Sequence, residues 1–390
     1  MAKERKFKTY VGDFETTVYD GQDHTEVWAS ALVKIGTEDV KIFHSIDETF
    51  NHLVAMKENV VVYYHNLKFD GNFWLAYLIT ELGMKQALKQ TGAGEFDVTF
   101  CSDKDMPNNT IKYLISDMGQ WYTITIKKNN KLIIFRDSLK LLPFSVREIG
   151  KAFNTKHRKL DMEYKGFRYA GCKITDEEKQ YIANDVLVVK EALEIMFMRN
   201  HTKLTIGACC LEEYTKIIGG KDIFSNMFPN PYEMMIREEQ HGVNNVGDWI
   251  RKSYKGGWCY VVKEKANKKF YNGLTADVNS LYPSMMHSES GNYYPVGKPT
   301  FWTGNYIPYE AQIGNRYYFV RIKTRFYLKR NKLPFIQIKH NMLYKPTEML
   351  ETSDVYNYKT GKYVTEVYNA IEDRWEDTRV ELTLTMTDYI

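Results

Sequence analysis

The sequence predicts a mixed α/β (α+β) protein built from more than one domain. Three observations point there. The chain has 390 residues, more than one hydrophobic core usually spans. Its first two hundred residues alternate strand-like and helix-like patterns. Beyond about residue 206 the helical patterns weaken, and Gly and Pro become more frequent.

The elements follow in order. Residues 8–17, "KTYVGDFETT", read as a strand, with "VWASALVKI" and "VKIFHS" as strands beside it. "IDETFNHLVAMKE" carries apolar residues at spacings of three and four and predicts a helix. "NVVVYYHN" is continuously apolar, β-branched and aromatic, which suits a strand buried on both faces. "FDGNFWLAYLITELG" predicts a helix closed by Gly83. "KLIIFRDSLKLLPFSVREIGKAF" reads as a strand followed by a helix. "TDEEKQYIANDVLVVKEALEIMF" predicts a long helix opened by a capping box of Thr175 and Glu178. From residue 300 the pattern is of strands and loops: "RYYFVRIKTRFYLKR", "LPFIQIK" and "YNYKTGKYVTEVYNA". Domain boundaries are expected near 206 and 290, giving segments 1–205, 206–290 and 291–390.

Bulk composition narrows the function classes. Hydrophobic residues are 44% and charged residues 26%, a folded rather than a disordered balance. Net charge is +4, which permits nucleic-acid binding without demanding it. Two stretches, "NTKHRKLDMEYKGFRY" and "RIKTRFYLKRNK", interleave basic and aromatic residues. Either could be a solvated face; together with the motifs below they suggest a phosphate track. Five cysteines without a Cys-x-x-Cys pair argue against a disulfide framework or a cysteine zinc site and fit a reducing cytoplasm. No apolar h-region follows the basic "MAKERKFK", and no apolar stretch reaches membrane-spanning length, so a secreted or membrane protein is not expected.

Four carboxylates are candidates for one site. Asp13 and Glu15 fall on one face of a strand with Phe14 on the other. Asp70 lies at the next strand-to-helix junction. Asp185 sits on a helix one turn after Tyr181, on the same face. Singly, each has an ordinary explanation as a helix cap or a solvated position. Jointly they make a hard oxygen site suited to Mg²⁺ or Mn²⁺. Two such ions serve in-line attack on a phosphodiester, and Tyr181 is placed to orient a water.

"DFETT", "YHNLKFDGNF" and "YIANDV" resemble the three exonuclease motifs of family B DNA polymerases, more narrowly of the protein-primed, phi29-like bacteriophage branch. The match consists of an Asp-x-Glu, an Asn-x-x-x-Asp and a Tyr-x-x-x-Asp in order. The resemblance implies an RNase H-like (DnaQ-type) 3′–5′ exonuclease domain. It makes Asp13, Glu15, Asp70 and Asp185 metal ligands, two ions per site, and Tyr181 the water-orienting group. It places His65, Asn66 and Phe69 on a single-stranded DNA 3′ end, with Ser138 and Leu139 of "RDSLKLLPF" as further contacts. Lys159 and Tyr164 of "KLDMEY" would line the same cleft, the lysine stabilising charge on the reacting phosphate.

The second half continues the resemblance. "YKGGW" matches a Tyr-x-Gly-Gly loop between exonuclease and polymerase parts, so Tyr254, Gly256 and Gly257 would hold primer-template. "TADVNSLYPSMM" resembles motif A of the polymerase palm, with a short helix expected near Pro283. The resemblance makes Asp277 and the Val278 carbonyl metal-binding, and puts Ser280, Leu281 and Tyr282 on an incoming dNTP, the tyrosine ring leaving no room for a ribose 2′-OH. Residues 291–390 resemble the terminal-protein-binding insertion of that branch through "IQIK" and "YKPTEM", which implies a priming terminal protein as partner.

No Tyr-x-Asp-Thr-Asp hairpin follows Asp277; Asp354, Asp373, Asp377 and Asp388 stand in other contexts. The expectation is an exonuclease with an incomplete polymerase palm, and little or no polymerisation by this chain alone. Two alternatives compete with it. One is a stand-alone exoribonuclease of the same fold, for which motif A has no use. The other is a non-catalytic module binding DNA and a terminal protein, for which five intact site residues have no use.

Overall fold

The computed structural model describes residues 7–92, 94, 97–163, 166–238, 242–254, 263–304, 306–313, 316–324, 355–357, 362–364, 366–377 and 380–390. The chain divides into two compact units, Met1–Lys216 and Ile217–Ile390.

The first unit is organised by an eight-stranded mixed sheet. Its strands are β1 (Phe7–Thr16), β2 (Val27–Lys34), β3 (Val40–Phe43), β4 (Asn59–Tyr64), β5 (Lys85–Gln86), β8 (Thr110–Ile115), β9 (Trp121–Lys128) and β10 (Lys131–Asp137), in the order β3-β2-β1-β4-β10-β9-β8-β5. Strands β6 (Leu88–Gln90) and β7 (Val98–Phe100) pair separately. β1, β4 and β10 run parallel in the centre, while β2 and β9 flank them antiparallel. The central strands are apolar on both faces because helices cover both. The sheet continues through β9, β8 and β5, where no strand was expected. The alternation Thr123-Ile124-Thr125-Ile126 is the period-two signal that marks β9, with both isoleucines fully buried.

Residue parity along the strands sorts the core into two clusters. Val11, Ala29, Ala31, Val61 and Tyr63 face the long helix α4 (Asp176–Met198), which contributes Ile182, Val186 and Val189. Phe14, Val60, Val62 and Tyr64 face the other way, onto α1 (Ile46–Ala55) and α2 (Leu67–Ala76) through Phe50, Leu53, Leu67 and Trp74. Ser45 caps α1 by accepting from the Glu48 amide. The expected capping box opens α4, the Thr175 and Glu178 side chains each bonding the other's backbone. α2 begins at Leu67, two residues before the expected start, behind a left-handed Asn66. Its last turn, Tyr77–Glu81, widens to a π-helix, where the Leu82 N–H bonds the Tyr77 carbonyl. Gly83 then turns the chain at φ +60°. α3 (Val146–Ala152) and α5 (Ile206–Ile217) complete this unit.

The second unit is assembled from short pieces. Helices α6 (Lys221–Met227), α7 (Val246–Arg251), α8 (Leu281–Met286), α9 (Tyr309–Gln312) and α10 (Met386–Tyr389) accompany four pairs of short strands among the described residues. The pairs are β11 (Met235–Glu238) with β12 (Gly242–Asn245), β13 (Phe319–Thr324) with β18 (Val380–Thr385), β14 (Val355–Asn357) with β15 (Lys362–Val364), and β16 (Glu366–Asn369) with β17 (Arg374–Asp377). Arg321 on β13 bonds Glu238 at 2.7 Å and lies over the Trp249 ring, while Trp249 Nε1 donates to the same carboxyl group at 3.0 Å.

Candidate functional site: a carboxylate cluster at the strand ends

The C-terminal half of β1 carries the centre of the site. Asp13 and Glu15 stand opposite Ala31 and Ala29 of β2, whose small side chains leave space on that face. Phe14 turns into the opposite core, with ring centroids 5.5 Å from Tyr64 and 5.2 Å from Trp74. Gly12 makes this possible. A Cβ there would lie 2.9 Å from Tyr64 Cζ, so only glycine lets the ring close on the strand beside Asp13. The same device recurs at Gly71, next to Asp70, where a Cβ would meet the Trp121 ring at 2.8 Å.

α4 brings Asp185 to this face. Carboxylate oxygens of Asp13, Glu15 and Asp185 all lie within 4.8 Å of one another, and among the described residues this is the one such acidic or His/Cys group. Asp13 and Glu15 are half-buried, while Asp185 is buried. Lys159 donates to Asp185 Oδ2 and stands 3.4 Å from the Tyr181 hydroxyl, with its ammonium over the tyrosine ring. The lysine thus takes one oxygen of Asp185. The other, Oδ1, is buried without a hydrogen-bond partner.

Asp70 joins the cluster differently from expectation. It is buried in the first turn of α2, and its Oδ1 accepts the Phe14 backbone N–H at 3.2 Å. That bond draws the carboxyl group against the β1 backbone, so Asp70 adjoins the three-carboxylate group without being one of its tightly clustered members.

The electrostatics fit a cation. Removal from water, then repulsion from Asp70, Glu15 and Asp185, pushes Asp13 well above the usual carboxylate range. Burial pushes Asp70 up to about 8. Burial also raises Asp185, even with Lys159 beside it. Burial opposes the Lys159 charge, but the bond to Asp185, the Asp185 charge and the Tyr181 hydroxyl together outweigh it and hold the ammonium above its ordinary range. Four acids cannot all ionise here at little cost, and one of them offers a buried, unpartnered oxygen. A hard divalent cation answers both conditions.

Beside the cluster, the β4–α2 corner carries His65, Asn66 and Phe69. Phe69 is 48% exposed and packs edge-on against Phe73, with centroids 5.5 Å apart. Asn66 is exposed and left-handed, φ +69°. Burial holds His65 below its usual range, and both ring nitrogens are engaged. Nε2 donates to the Phe144 carbonyl at 2.8 Å, so the neutral ring accepts at Nδ1 from Ser138, 3.0 Å away. Ser138 is fully buried and Leu139 half-buried. Sequence reasoning passed over Asp137, which accepts three backbone N–H groups in this corner. A buried acid ending an apolar strand, directly before the Ser-Leu pair, was the available signal.

In the second unit, Asp277, Val278, Leu281 and Tyr282 are exposed. Ser280, at φ +50°, precedes helix α8, which starts two residues before Pro283. Asp277 belongs to no group of three potential metal ligands among the described residues. Tyr254 is 65% exposed, while Tyr164, Gly256 and Gly257, with "IQIK" and "YKPTEM", lie outside the described residues. No described helix is long and apolar enough to cross a membrane.

Residues 52–172 and 167–386 match the family of type B DNA polymerases, organellar and viral. The chain belongs to this family. As a type B polymerase chain it is 35% identical over 381 residues to the DNA polymerase of Bacillus phage M2, covering 96% of this chain and 59% of that protein. It is 33% identical over 356 residues to the DNA polymerase of Bacillus phage phi29, covering 89% of this chain and 54% of that protein. Its mixed α/β fold matches phi29 DNA polymerase complexed with primer-template DNA and incoming nucleotides, with TM-score 0.71, 30% identity, and coverage of 98% of this chain and 57% of that one. Phi29 polymerase complexed with single-stranded DNA matches with TM-score 0.67 and 29% identity, at 98% and 57% coverage. The type B chain therefore spans less than three-fifths of the length of these relatives.

Proposed function

We propose that the first unit is an RNase H-like, DnaQ-type 3′–5′ exonuclease that removes nucleotides from single-stranded DNA ends, as part of a protein-primed type B DNA polymerase. The observation that carries this reading is the convergence of Asp13, Glu15 and Asp185, with one Asp185 oxygen buried and unpartnered. Asp70, a step away against β1, is the fourth ligand in this reading. Bound Mg²⁺ or Mn²⁺, two ions per site, would supply a water of lowered pKa and neutralise charge on the scissile phosphate.

The chain's own residues divide the remaining work. The Tyr181 hydroxyl, held next to Lys159, orients the attacking water. Lys159 offsets negative charge developing on the phosphate, in a site where burial strengthens its effect. Phe69 stacks on a terminal base, and Asn66, Ser138 and Leu139 meet the strand beside it. Tyr164 is assigned to strand binding with them, and His65 serves the cleft chiefly by holding Ser138 and the Phe144 loop together.

In the second unit, we assign Asp277 and Val278 to the metal side of a polymerase palm, and Ser280, Leu281 and Tyr282 to dNTP binding. Tyr254, Gly256 and Gly257 are assigned to primer-template, and the region from 291 onward to a terminal protein. The bound DNA and nucleotides of the phi29 complexes favour these assignments.

The test is direct. The purified chain, given 3′-labelled single-stranded DNA, releases mononucleotides on addition of Mg²⁺ or Mn²⁺ and stops with EDTA. An inert native chain under both metals refutes the reading, and faster degradation of RNA than DNA assigns it to a ribonuclease instead.

A further inference from the structure

We infer that Asp137 is the positioning residue of the single-strand cleft, holding the two strand-contacting segments in one geometry. Asn66 belongs to the β4–α2 corner and Leu139 to the turn after β10, 73 positions apart in the sequence. Asp137 Oδ1 accepts from the backbone N–H groups of Asn66 at 3.1 Å, Leu67 at 3.2 Å and Leu139 at 3.0 Å. One carboxylate oxygen thus ties both segments together.

Three features make this more than an ordinary turn cap. Asp137 is buried, a position that costs a carboxylate dearly unless it is bonded, and three amides meet its Oδ1 while the Lys140 ammonium stands 3.6 Å from Oδ2. Asn66 is held in the left-handed region, which non-glycine residues adopt at a cost, and its amide is one of the three donors. A second tie runs parallel, from the His65 ring to Ser138 and Phe144; Ser138 Oγ stands 3.0 Å from the Tyr64 carbonyl as well, its one hydrogen serving either acceptor in turn. The corner is preorganised before any strand arrives, which lowers the ordering cost of binding.

The inference rests on the reading of Asn66, Ser138 and Leu139 as strand contacts. It is separable from the exonuclease chemistry, because Asp137 is not among the clustered metal-ligating carboxylates.

The experiment measures binding of a fluorescent single-stranded oligonucleotide in EDTA, then exonuclease kinetics and Mn²⁺ binding by calorimetry, for the native chain, Asp137→Ala and Asp137→Asn. Asp137→Ala is expected to weaken strand binding and raise KM about tenfold to a hundredfold, as small misplacements of binding groups do. Its kcat at saturating strand and its Mn²⁺ affinity stay near native. Asp137→Asn keeps an acceptor oxygen and falls between the two. Strand binding unchanged in both variants overturns the inference, as does a parallel fall in kcat and Mn²⁺ affinity, which marks general loosening. A native chain that binds the strand but never cleaves it sinks the exonuclease reading and leaves this one standing; a native chain that binds no strand overturns this one. If Asp137→Ala does not fold, the Asn variant decides: a loss of strand affinity with native Mn²⁺ binding supports the inference, and native strand affinity overturns it.

Discussion

The backbone N–H of Phe14 donates to Oδ1 of Asp70 across 3.2 Å, joining two residues 56 positions apart. This bond makes one site from two motifs. Phe14 is anchored behind the strand by Tyr64 and Trp74, so its amide is fixed, and Asp70 is fixed by it. Asp13 and Glu15, on either side of Phe14, inherit the same rigid frame.

Removing the carboxylates should remove the chemistry. Asp13→Ala with Asp185→Ala is expected to abolish metal-dependent nucleotide release, by at least about 10³-fold, because charge stabilisation at the reacting phosphate goes with the ions. Near-native circular dichroism and retained oligonucleotide binding would show that folding is not the cause. Residual release within tenfold of native excludes the cluster as the active site.

Lys159 should matter for rate more than for folding. Lys159→Ala takes the donor from both Asp185 and the Tyr181 hydroxyl. The expected loss is about 10²-fold in kcat, the scale of one preorganised charge-stabilising group. Single-turnover release with excess enzyme measures it, and a change confined to KM contradicts the role.

Metal should stabilise the fold. Mn²⁺ binding relieves the repulsion among Asp13, Glu15 and Asp185, so saturating Mn²⁺ at 100 times its Kd should add about 2.7 kcal/mol. Thermal unfolding with and without Mn²⁺ checks this. The shift should vanish in the double alanine variant.

Gly12→Ala tests the close approach of the Tyr64 ring. The new Cβ would sit 2.9 Å from Tyr64 Cζ, inside contact distance. Overpacking of this kind costs about 1–3 kcal/mol. Urea unfolding should show that loss, and displacement of the neighbouring Asp13 should weaken Mn²⁺ binding as well.

Glu178 supplies an acid-sensitive tie. Burial works against its charge, but the Thr175 amide and hydroxyl and the Arg168 guanidinium outweigh it and hold its pKa below the usual range. A carboxyl whose folded pKa is depressed stabilises the fold above its unfolded pKa. That contribution disappears as pH falls through the folded value. Glu178→Gln should therefore cost about 2 kcal/mol near neutrality and lose less stability than native below about pH 4. Urea midpoints across pH 3–7 distinguish this from a pH-independent capping loss.

Much of this was legible in the linear chain. Period-two patterning put Phe14 and the Asp13–Glu15 pair on opposite faces, and the spacing of Tyr181 and Asp185 put them on one helix face; the structure agrees on both, Lys159 reaching both helix side chains at once. Those signals are local, because side-chain direction follows from strand and helix geometry within a few residues. Strands β5–β9 were missed although β9 alternates plainly, and the π-turn after Ala76 left no readable mark.

The sequence by itself therefore determined the family, the order of the main elements around the site, and the set of acids that could meet. Only the tertiary structure decided how they meet. It set Asp70 against the Phe14 amide rather than within the tight triad, left Asp185 Oδ1 unpartnered, and made Asp137 the junction of two distant segments. Such relations depend on long-range packing, with distances set by Gly12, Gly71 and the rings that close on them, and no local periodicity encodes them.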